Sequence, residues 1–181
     1  MKKIIPAFLL TFSFFFCFSE DTAYPTKLEQ AVNTTGFLYK QEVFTVDNIA
    51  AFRMDVVKIT NLEKFTVSSG IKVLHKIQIG KELKTFYNYI DAEEIDGLIT
   101  ALQYMKTIIK SQTIPGSYTE IKYSTKSGFL VSLSTILNVS NKLDWSFSVH
   151  TNTSNERSLV LLSLSDLGKL QQTLDQAKGK L

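Results

Sequence analysis

The chain has 181 residues, 44% hydrophobic and 20% charged, which is enough apolar material for one medium domain or two small packed ones. That balance excludes intrinsic disorder, which needs low hydrophobicity and high net charge. Removing Lys2 and Lys3 from the 20 basic residues leaves 18 against 17 acidic ones, a near-neutral body without the basic footprint that drives nucleic-acid binding.

Lys2 and Lys3 precede an apolar run, Ile4 to Phe18, broken only by Pro6, Thr11 and Ser13. A basic start, a greasy centre and small residues at the cut predict a signal peptide over 1–19. Cys17 and Ser19 suit the −3 and −1 positions, with cleavage before Glu20. The run falls short of the roughly 20 residues of a membrane-spanning helix. A second reading makes Cys17 the lipidated first residue of an outer-membrane lipoprotein. The bulky Phe15 and Phe16 stand where that processing favours small residues, so the ordinary leader is preferred. Cys17 is the only cysteine, so the body after it holds no disulfide and no thiolate site. The expected address is periplasmic or extracellular.

Residues 20–36 read as a loose segment. Candidate strands follow at Phe37–Phe44, Phe52–Ile59, Ile71–Ile79 and Thr85–Ile90, less clearly patterned than those of the second half. Asp91 and Glu94 form a capping-box pattern ahead of a helix with Ile95, Leu98, Ile99, Leu102, Met105 and Ile109 on one face. Pro115 and Gly116 mark a link. The second half repeats the plan. Tyr118–Lys126 and the run from Phe129 flank a turn at Ser127 and Gly128. Leu143, Trp145, Phe147 and Val149 alternate with Asp144, Ser146, Ser148 and His150, a strand with one wet face. Leu159–Leu164 is apolar on both faces and reads as a more central strand. Ser165 is the expected N-cap of a last helix with Leu167, Leu170, Leu174 and Ala177 on one stripe. The fold class is therefore α+β, two antiparallel four-strand sheets each followed by a helix, with units at 37–112 and 113–181 packed as one globular body.

No sequence pattern for catalysis or cofactor binding stands out, and no cofactor is expected. The acids Asp91, Glu93, Glu94 and Asp96 suit a helix start, where carboxylates meet the positive end of the dipole. His75 falls in phase with Val73 and Ile77 on an apolar face, and His150 falls on a polar one. Two histidines fall short of a transition-metal ligand set. There is no glycine-flanked serine elbow and no phosphate loop. Aromatic residues on strands can stack ligands but more commonly fill cores.

The stretches YIDAEEIDGLITALQYM, YTEIKYSTKSGF and SLVLLSLSDLGKLQQTL resemble small exported bacterial proteins of the Bacteroidetes type, a resemblance that implies a fold and an address but no chemistry. At fold level, two units of four strands and a helix are similar to the Whirly, Pur and coactivator-type single-strand binders. Near-neutral charge and the leader stand against a nucleic-acid function here.

The function expected from the sequence is an exported, non-catalytic binding or envelope-associated module. A carrier of a small apolar ligand is the first alternative, with Tyr123, Trp145 and Phe147 as ligand-facing residues. A hydrolase using His75 or His150 with nearby acids is the second.

Overall fold

Alternation along the strands decides which side chains face inward, and the hydrogen-bonded register fixes which of them meet. The computed structural model describes residues 25–111 and 113–181. The leader, its cleavage site and Cys17 lie outside these residues. The first sheet runs β1 (Tyr39–Ile49), β2 (Phe52–Asn61), β3 (Thr66–Ile79) and β4 (Glu82–Asp91), all antiparallel and in sequence order. The second runs β5 (Glu120–Ser124), β6 (Leu130–Leu137), β7 (Leu143–His150) and β8 (Leu159–Leu162) in the same way. Helix α2 (Ile95–Lys110) follows the first sheet and α3 (Leu164–Lys178) the second. The architecture is thus α+β with tandem ββββα units.

The two halves match row by row. Across the first sheet, Phe44, Val56, Ile71 and Ile90 stand opposite one another in turn. Across the second, the corresponding row is Ile121, Leu133, Phe147 and Leu162. The residue after each row's last member begins the helix cap, Asp91 in one half and Ser163 in the other. Each helix then packs along the first strand of the other half: α2 on β5, α3 on β1, and the two helices on each other. This crossed arrangement gives one shared core, in which Val56, Ile71 and Ile90 join Leu98, Leu102, Leu133, Phe147, Leu170 and Leu174.

Three expectations are corrected. The segment 20–36 is not loose throughout, because α1 (Lys27–Asn33) lies on the outer face of the first sheet. Thr26 Oγ1 accepts the Glu29 N–H at 3.0 Å, and fully buried Leu28 packs with Val57, Ile59 and Tyr89. The N-cap of α3 is Ser163 rather than Ser165. Ser163 stands three residues before Asp166, which accepts the Ser163 N–H at 3.0 Å, whereas Ser165 already lies inside the helix. The strand read as central, β8, is an edge strand, and its apolar outer residues Leu159 and Leu161 are exposed.

Candidate functional site

The first turn of α2 shows how the acidic cluster is used. A 3-10 turn, Ala92–Glu94, leads into the helix, and one Glu94 oxygen accepts the Asp91 N–H at 3.2 Å. Its other oxygen accepts the Lys126 N–H at 2.7 Å, which fastens the end of β5 to α2. The Asp91 carboxylate accepts the N–H groups of Lys27 and Leu28 at 2.9 and 3.0 Å and so caps α1. Glu93 pairs with Lys27 and Lys126, and Asp96 with Lys178. Both lysines hold the Glu93 carboxyl below its usual range. Each acid has a structural partner, and no group of three or more metal-ligating side chains occurs among the described residues.

Beyond this joint, α2 and β5 diverge around an open groove of about 600 Å³, lined by Thr100, Ala101, Tyr104, Met105, Ile121 and Tyr123, with Asp96, Gly97 and Lys122 at its margin. Gly97 sets the depth of one end. A Cβ there would lie 2.2 Å from the Tyr123 hydroxyl, so the missing side chain lets the phenol lie against the helix. Tyr123 donates a long hydrogen bond, 3.5 Å, to the Glu94 carbonyl. Burial first, and the Glu94 charge second, raise its pKa above that of a free phenol.

The strand edge beside the groove is open. Thr119 and Thr125 bond to β6 through their backbones, so the odd-numbered residues of β5 face β6. The backbone groups of Glu120, Lys122 and Ser124 therefore point away from the sheet. Among the described residues they meet no backbone partner. An apolar trough beside an unpaired strand edge is what recognition of an extended polypeptide uses: main-chain hydrogen bonds hold it and alternate side chains enter the trough.

Of the three residues expected to face a ligand, Tyr123 borders this groove. Trp145 and Phe147 do not join it there. Phe147 is fully enclosed in the shared core, and Trp145 is buried with its indole N–H donating to the Thr113 carbonyl at 3.1 Å. Tyr104 was not singled out in the sequence. It is 60% exposed and sits one residue outside the buried stripe of Leu98, Leu102 and Met105, and an exposed aromatic on a helix was the available signal.

The histidines are apart from the groove. His75 is 4% exposed, its Nδ1 is 3.2 Å from Thr151 Oγ1, and burial lowers its pKa. His150 is half-buried on the serine-rich outer face of the second sheet, where burial and then Lys122 lower its pKa against an opposing pull from Glu120. On the same face Ser132 donates to Glu120 at 3.1 Å. Comparison of the chain with protein-family models, with characterised proteins and with solved structures returns no match in any of the three.

Proposed function

We propose that this protein is an exported, non-catalytic binding module that captures an extended polypeptide segment, by strand addition, along β5 in the α2–β5 groove. The observation that supports the reading is the juxtaposition of the outward backbone groups of Lys122 with the apolar wall of Ala101, Tyr104 and Met105. The leader-like residues 1–19 support export and an envelope address. A chain processed before Glu20 and recovered outside the cytoplasm is the result expected from fractionation and mass spectrometry. Retention of the unprocessed chain in the cytoplasm overturns export.

Binding is tested with a displayed library of random peptides panned against the purified protein. Enriched peptides are expected to bind wild type but to lose at least tenfold in affinity to Ala101→Arg, which fills the trough, and to Lys122→Pro, which removes an outward N–H without breaking the β5–β6 ladder. Peptides that bind both variants as well as wild type contradict the reading. A carrier of a small apolar ligand remains the second reading, because the groove has the volume of a small-molecule site. It is favoured if an apolar fluorophore binds and Ala101→Arg displaces it while Lys122→Pro does not.

A further inference from the structure

Strand β1 is the free edge of the first sheet opposite β4. Leu38 C=O accepts the Leu62 N–H at 2.9 Å, so Leu38, Lys40 and Glu42 direct their backbones toward β2. Tyr39, Gln41 and Val43 therefore direct theirs outward. Helix α3 and the residues just after it cover the far half of the strand: Lys180 Nζ reaches the Thr45 carbonyl at 3.4 Å, and Lys169 Nζ, in the helix, reaches that of Asn48 at 2.7 Å. Among the described residues the stretch from Leu38 to Phe44 is left uncovered, and its apolar members Leu38, Tyr39, Val43 and Phe44 are all exposed. An uncovered edge with exposed apolar side chains is a template for another strand.

We propose that this edge is a homodimer interface, in which β1 pairs antiparallel with β1 of a second copy about a two-fold axis through Gln41. The sequence is self-complementary in that register. Tyr39 stands opposite Val43 of the other copy, an aromatic–β-branched pair on one face. Leu38 stands opposite Phe44 on the other face. Between them Lys40 stands opposite Glu42, and Glu42 opposite Lys40, so the charges complement each other twice about the axis. Within one copy Lys40 and Glu42 already lie 2.9 Å apart on a common face, so pairing two copies forms an alternating four-charge cluster. The outward groups of Tyr39, Gln41 and Val43 then exchange about six backbone hydrogen bonds across the axis. A register centred on Val43 sets Lys40 against Val46 and Glu42 against Phe44 and loses both charge pairs, and Lys180 obstructs it at Thr45. The interface is isologous and closes at two copies, joining the two first sheets into one of eight strands.

Sedimentation velocity on three purified proteins tests the interface. Wild type is expected to dimerise reversibly in the micromolar range. Lys40→Glu sets two acids opposite one another and Glu42→Lys sets two lysines opposite one another, so each variant alone is expected to sediment as a folded monomer, with its circular dichroism unchanged. Mixed in equal amounts, the two variants restore opposite charges at both positions and are expected to form a heterodimer. That recovery excludes misfolding as the cause of dissociation. Wild type that stays monomeric at high micromolar concentration overturns the proposal. So does a dimer that survives in both variants, or a mixture that fails to associate.

Discussion

Nδ1 of His75 lies 3.2 Å from Oγ1 of Thr151, and the two residues occupy equivalent places in the two halves. His75 stands opposite Phe52 in the β2–β3 ladder, and continuing the β6–β7 register by one residue sets Thr151 opposite Phe129. The halves therefore touch at their internal pseudo-two-fold axis through a pair of polar residues buried beside two core phenylalanines. Asn88 completes this junction. Its Nδ2 donates to the carbonyls of Ser127 at 3.0 Å and Thr151 at 2.8 Å, and its Oδ1 accepts the Tyr89 N–H.

Burial lowers the pKa of His75 in the folded state below its ordinary 6.5. The neutral form is favoured on folding, so this stability is intact above about pH 6.5, begins to be lost as the pH falls below that unfolded-state value, and is fully lost once the pH falls through the lower folded-state value. His150 shifts in the same direction. Urea midpoints are expected to fall between pH 7 and pH 5, with a slope of at most about 1.4 kcal/mol per pH unit for each histidine. His75→Gln is expected to flatten the profile in part. A profile identical to wild type contradicts the assignment.

Asn88→Ala leaves two buried carbonyls and one buried N–H short of partners. A loss of about 3 kcal/mol is expected, since each unsatisfied buried group costs about 1–3 kcal/mol and some relaxation is shared. Chemical denaturation measures it, and a loss below about 1 kcal/mol would mean that the junction carries little of the stability.

Gly97 in α2 and Gly168 in α3 are the glycines inside the two long helices. An added Cβ at Gly168 meets nothing within 4 Å, whereas at Gly97 it lies 2.2 Å from the Tyr123 hydroxyl. Gly168→Ala is expected to stabilise by about 0.5–1 kcal/mol through helix propensity. Gly97→Ala is expected to destabilise by about 1–2 kcal/mol despite the same gain, as overpacking does. Adding Tyr123→Phe, which removes the clashing oxygen, should recover part of that loss. Equal effects at the two glycines, read from thermal melts, would contradict the close approach of α2 to β5.

Asp91→Ala removes the two acceptors that hold the first turn of α1. The expected cost is about 1–2 kcal/mol, typical of a lost cap. Faster amide exchange should be confined to α1, to Val57, Ile59 and Tyr89 beneath it, and to the turn that Asp91 caps ahead of α2. Exchange that accelerates across the whole molecule instead would show that α1 does not open independently.

Alternation is a local signal that can be read from the sequence, and it matches the observed faces of β7, where Trp145, Phe147 and Val149 point inward, whereas β2 is buried on both faces because α1 covers the outer one. Helix α1 could not be read in this way, since seven residues carry too little periodicity and, beside its own Thr26 cap, it is held by Asp91, more than sixty residues away. The strand β8 was misread because Leu159 and Leu161 are apolar yet face outward on an edge. Tyr123, Trp145 and Phe147 gave the same aromatic-on-strand signal. What separates them is that β5 is an edge strand and β7 an inner one, which local pattern does not encode. The other wall of the groove, on α2, depends on the helices crossing between halves, a purely tertiary relationship.

The most direct test of binding at the α2–β5 groove is site-specific photocrosslinking in the native host, with a photoreactive phenylalanine replacing Tyr104 on the groove wall and, as control, Tyr87 on the exposed face of β4. The predicted result is one reproducible polypeptide adduct from position 104, absent from position 87 and abolished by Lys122→Pro. Adducts of the same identity from both positions, or an adduct at 104 that Lys122→Pro leaves unchanged, would contradict strand addition at β5.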